Sequence, residues 1–187
     1  MSSRTVAPAR SEAPGRPSRP WARVACWACL GCALPSACWR AAMMAGADVG
    51  FGDAYLYRDS VGGIIYVLAL EAVQVGAAVA CVGLCRPWGE RVPRRVPGLG
   101  GRRIPRRLPL VLGGVGNVLL YLIIYGVALL FGLAILSDPP AWTPVQGMNA
   151  GQTAVFALCY APMLLWPVAL TAALVGYWRR RMPRISW

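Results

Sequence analysis

Residues 64–84 read IIYVLALEAVQVGAAVACVGL, an apolar run that carries one acid, Glu71, and one amide, Gln74. A helix rises 1.5 Å per residue, and roughly 20 apolar residues cross a bilayer. This stretch is long enough to do so. Two further runs lie downstream, VLLYLIIYGVALLFGLAIL at 118–136 and AVFALCYAPMLLWPVALTAALVGYW at 154–178. A weaker one lies upstream, where Pro35 and Arg40 interrupt it. Together they predict an all-α integral membrane bundle of four helices, with spans near 22–46, 61–85, 108–136 and 153–178. Pro162 and Pro167, five residues apart in the last span, predict a kink or a local unwinding there.

Composition agrees with this class. Of 187 residues, 57% are hydrophobic and 14% charged, against roughly 25% charged in a soluble domain. All 19 basic residues are arginine, and the net charge is +12. Histidine is absent. This excludes histidine-dependent hydrolysis, His-ligated haem and the usual His-containing zinc sites. No catalytic constellation, nucleotide loop or cofactor motif is visible, and no enzyme activity is expected.

Charge then sets the expected orientation. The tail to Arg23 carries five arginines and Glu12, and residues 1–21 read as a disordered basic segment. Eight arginines and Glu90 fall in 86–107, and Arg179, Arg180, Arg181 and Arg184 close the chain. The segment 47–60 holds Asp48, Asp53 and Asp59 against Arg58, and 137–152 holds Asp138 alone. The positive-inside rule places both termini and the 86–107 loop in the cytoplasm, with the chain in the plasma membrane. Trp21, Trp27, Trp88 and Trp178 would then mark the inner interface, and Trp39 and Trp142 the outer one. A cleaved signal peptide over the first run is the rival reading; Arg40 and the long tail speak against it.

The loop repeats itself: Val92-Pro-Arg-Arg-Val-Pro97 recurs as Ile104-Pro-Arg-Arg-Leu-Pro109. The proline-bracketed pairs Arg94 and Arg95, and Arg106 and Arg107, together with Arg102 and Arg103, are candidate contacts for anionic lipid headgroups. Each such arginine near the surface contributes about 1 kcal/mol. The same charges serve equally as topology determinants. No folded basic domain accompanies them, so nucleic acid is not an expected partner.

Cysteines stand at 26, 29, 32, 38, 81, 85 and 159. The Cys26-x-x-Cys29-x-x-Cys32 run has the spacing of a metal or iron–sulfur ligand set. Inside an Ala-rich apolar helix, cysteine serves equally as a small hydrophobe, and no metal is expected. Small residues four apart (Ala72, Gly76 and Ala80; Ala128 and Gly132; Ala169 and Ala173) predict close helix contacts.

Arg40 and Glu71 are the intramembrane charges. A central Arg costs roughly 2.5–3.5 kcal/mol on insertion scales, so pairing is expected. By helical rise, Glu71 lies about 15 Å and Arg40 about 9 Å below the outer ends of their spans, a gap the long Arg side chain can bridge. Cys26, Cys29, Ala33, Ser36 and Arg40 follow spacings of 3, 4, 3 and 4, and so do Glu71, Gln74, Ala78, Cys81 and Cys85. Each set forms one helix face, like a coiled-coil seam. Read antiparallel, Arg40 faces Glu71, Ser36 faces Gln74, Ala33 faces Ala78, Cys29 faces Cys81 and Cys26 faces Cys85. Pro35 threatens the first face.

The segments Trp88-Gly-Glu-Arg-Val-Pro93 and Gly100-Gly-Arg-Arg-Ile-Pro105, with Ala33-Leu-Pro35 upstream, resemble a group of uncharacterised actinobacterial multi-span membrane proteins. The likeness covers about residues 22–135. It implies topology and bacterial origin and no activity. Arg95 departs from it, since many of that group carry an aromatic there. Three functions stay open: a non-enzymatic accessory or regulatory membrane component, a small-solute or ion transporter, and a membrane thiol redox protein.

Overall fold

The computed structural model describes residues 19–86, 89, 101, 104–105, 107–139 and 141–181. Residues 1–18 of the N-terminal tail, Arg184, Trp88 and the candidate lipid contacts Arg94, Arg95, Arg102, Arg103 and Arg106 lie outside these residues, whereas Pro20 and Trp21, expected at the end of the tail, begin the first helix. Arg107 is exposed at the first position of a helix.

Among the described residues every regular element is helical. Helix α1 spans Pro20–Met44, α2 Ala54–Arg58, α3 Val61–Gly83, α4 Arg107–Leu136, α5 Ala150–Tyr160 and α6 Trp166–Arg181. A 3-10 segment, Ala161–Leu165, joins α5 to α6. Four helices are long and apolar enough to cross a membrane: α1, α3, α4 and the composite Ala150–Arg181. Their bounds fall within a few residues of the expected spans.

Local chemistry sets several of these bounds. Pro20 occupies the first turn of α1, where its missing N–H costs nothing. Gly46, at φ 94°, ends that helix in the left-handed region. Ser60 caps α3 by accepting from Gly63 N at 3.0 Å. Asn149 and Gln152 form a reciprocal capping box on α5.

The two proline sites behave differently. Pro35 lies inside α1, which stays helical from end to end, so the expected break of its face does not occur. Pro162 is the second residue of the 3-10 segment, and Pro167 lies two residues beyond its end. In a 3-10 turn the Leu164 carbonyl would accept from residue 167, and proline has no N–H to give. The Tyr125 hydroxyl of α4 donates to that carbonyl instead, at 2.8 Å.

The helices run up and down around α1. Helix α1 packs against α3 on one side and α6 on another, and α4 packs on α6. Close α1–α6 approach depends on glycine: a Cβ at Gly176 would stand 2.5 Å from Ala22 Cβ. Helix α4 meets α6 where Asn117 Nδ2 donates to Thr171 Oγ1 at 2.7 Å.

Two ends result. At the basic end, Arg180 Nη2 donates to Leu84 O at 2.8 Å, and the Arg86 guanidinium lies over the Trp27 ring. At the acidic end, Gln152 Nε2 donates to Asp48 Oδ1 at 3.3 Å, which ties the α1–α2 loop to α5. A Cβ on Gly50, whose φ is 79°, would meet that Gln152 side chain at 2.5 Å.

Two sequence expectations need correction. Ala72, Gly76 and Ala80 are exposed on α3, as are Ala128 and Gly132 on α4. These stripes face away from the bundle, because small residues occur all round both helices and their spacing does not select a face. Only the Ala169 and Ala173 stripe points inward, with Ala173 at 1% exposure. Trp39 is not an interfacial residue either. It is buried edge-on against Phe51, Phe156 and Tyr160. Trp21, Trp27, Trp142 and Trp178 are exposed near helix ends.

Candidate intramembrane polar cluster

Arg40 projects from the last turns of α1 between α3 and α5. Its Nε donates to Glu71 Oε1, forming an ion pair, and its Nη2 donates to Gln74 Oε1. The third nitrogen, Nη1, donates to the Tyr160 hydroxyl at 3.3 Å. The guanidinium also lies 5.8 Å from the Tyr160 ring centroid. Side-chain exposures of 11% for Arg40 and 18% for Glu71 place both charges inside the protein.

Gln74 passes the network inward. Its Nε2 donates to Ser36 Oγ and to Ala33 O, each at 2.9 Å. Ser36 Oγ in turn donates to Ala33 O at 3.1 Å. A buried amide left unpaired costs about 1–3 kcal/mol; here one carbonyl and one hydroxyl satisfy both of its protons. An aromatic wall closes the cluster, with Phe156 stacked on Tyr160 at 4.4 Å and Trp39 beside both.

Below this polar half the seam turns apolar. Ala33 and Ala78 are both at 0% exposure. Cys26, Cys29 and Cys81 lie in one buried cluster there, and Cys85 packs against it. Trp166 of α6 packs in the same core. The structure thus pairs Arg40 with Glu71 and Ser36 with Gln74 in the antiparallel order the spacing predicts, and packs Cys26, Cys29, Cys81 and Cys85 together in the core beneath them.

Among the described residues no group of three or more His, Cys, Asp or Glu could hold a metal ion. Helix geometry explains this for Cys26, Cys29 and Cys32. A straight helix spreads them over about 9 Å, too far to converge on one centre.

Sequence reasoning missed Tyr160 as the third partner of Arg40. It also missed an open cleft of about 510 Å³ lined by Met44, Arg58, Asp59, Ile64 and Leu68. Leu68 lies one turn from Glu71 toward the acidic end. Glu71 Oε2 is buried without a hydrogen-bond partner. No protein-family model, characterised protein or solved structure matches the chain.

Proposed function

We propose that the chain is a non-enzymatic accessory or regulatory component of the cell membrane. In this reading both termini and the arginine-rich loop face the cytoplasm, and the acidic end faces outward. The exposed Arg107 and its neighbours in the loop then rest on anionic lipid. A bacterial cell membrane is part of this proposal.

One observation carries the non-transporting reading. The buried charges close on each other, and the seam directly beneath them is filled by Ala33, Ala78 and Cys29 at 0% exposure. Such a cluster clamps three helices and offers no continuation across the bilayer. Purified protein in liposomes should therefore pass ions and small solutes no faster than empty liposomes, and Glu71→Gln should leave that baseline unchanged. Flux above baseline that Glu71→Gln abolishes would overturn the proposal.

The same flux result would support the second reading, a solute or ion transporter. Its support is the 3-10 break beside Tyr160 together with the unpartnered Glu71 Oε2 below the open cleft. The orientation has its own check. Reporter fusions after Asp53 and after Gln146 should both report the outside, and a cytoplasmic signal at either would refute it.

A further inference from the structure

We propose that the basic end of the α1–α3 hairpin is a thiol–disulfide exchange site, where Cys85 reacts with a small organic disulfide and Cys26 then closes an interhelical bridge. The antiparallel register set by Gln74 on Ser36 and Arg40 on Glu71 carries Cys29 opposite Cys81 and Cys26 opposite Cys85 at the helical spacings of the seam. Cys26, Cys29 and Cys81 belong to one buried cluster, and Cys85 packs against it. The polar contacts above them, Arg40 with Glu71 and Ser36 with Gln74, hold the register that keeps the thiols opposed.

The two pairs differ in access. Cys29 is at 0% exposure and Cys81 at 6%, both within continuous helix. Cys85 is partly exposed and lies beyond Leu84, the residue that caps α3. Its thiol donates to Val82 O at 3.1 Å, a weak bond that exchange can displace. Backbone outside the helix can shift, so Cys85 can approach Cys26 to the roughly 2.05 Å of a disulfide. Cys26, at 1% exposure, meets no reagent from solution. It can attack only a sulfur delivered by its neighbour.

The chemistry balances as follows. Cys85, as thiolate, attacks one sulfur of the small disulfide. That S–S bond breaks, and one small thiol leaves with the electron pair and takes a proton. Cys26 gives up its proton and attacks Cys85 Sγ, which expels the second small thiol. Two protein thiols are oxidised to one bridge, and one organic disulfide is reduced to two thiols. Cys29 lies one helical turn from Cys26, and Cys81 lies in the last turns of the helix that Cys85 follows. The bridge can therefore migrate inward by the same exchange.

The probe is dithiodipyridine, which releases a coloured thiopyridone at each step. The test uses the full chain in liposomes, both wild type and a variant that keeps only Cys26 and Cys85, the others changed to Ser. That variant should release two thiopyridones per chain and show an intramolecular Cys26–Cys85 bridge by mass spectrometry. Adding Cys26→Ala should halve the release and leave a stable mixed disulfide on Cys85. Wild type should show the Cys26–Cys85 bridge, or the Cys29–Cys81 bridge after migration. A single release with a persistent mixed disulfide when both thiols are present would overturn the proposal. So would a wild-type chain in which neither bridge forms.

Discussion

Helices α1 and α4 invert each other. The most apolar stretch of α1 has a mean hydropathy of 1.2, the lowest of the four spans, and 44% of it is buried against other helices. That of α4 has 2.6, the highest, and 6% is buried. The other two spans fall between on both scales. In a soluble protein the most hydrophobic helix sits at the centre. Here lipid is as apolar as leucine, so helices associate through small residues and polar bonds. The weakest hydrophobic segment is the hub because its Ala, Cys, Ser and Arg side chains find partners only among other helices.

Substitutions can break or sharpen this contrast. The largest effect belongs to the hub. Arg40→Ala leaves Glu71 buried and unpaired, and should cost about 3–5 kcal/mol in detergent-based unfolding. Next comes the α1–α6 contact. Gly176→Val places side-chain atoms where Ala22 already stands 2.5 Å from the ideal Cβ. Overpacking of this kind should cost about 1–3 kcal/mol, with a lower melting temperature as the readout. Helix α4 should respond less. Asn117→Ala removes its buried hydrogen bond to Thr171, and by the average for such bonds in membranes should cost about 0.6 kcal/mol. Leu122, 66% exposed on the outer face of α4, should tolerate Ala with a change within about 0.5 kcal/mol. A Leu122→Ala loss as large as that of Gly176→Val would mean that protein, and not lipid, covers α4.

The α1–α3 seam was legible in the sequence because a dry interface forces polar residues to meet. Arg40, Ser36, Glu71 and Gln74 had few alternatives, and the shared 3, 4, 3, 4 spacing then fixed the order of the cysteines. The third contributor was not legible. Tyr160 comes from another span, and nothing in the sequence sets the register between Ala150–Arg181 and α1. Trp39 was misplaced for the same reason, since Phe51 and Phe156, which cover it, lie in a loop and in α5. The stripes at Ala72 and Gly76 and at Ala128 and Gly132 misled because spacing alone carries no direction in helices rich in small residues. The unwinding at Pro162 and Pro167 was legible, and the threat from Pro35 was not realised, since α1 stays helical through it.

The central claim is that a buried ion pair between Arg40 and Glu71 holds α1 as the hub of the bundle. A double-mutant cycle tests it most directly. Arg40→Ala, Glu71→Ala and the double variant are unfolded in the same detergent as wild type. The account predicts that the double variant recovers part of the loss, so that it falls short of the sum of the single losses by about 2 kcal/mol or more. Losses that add to within about 0.5 kcal/mol would contradict it.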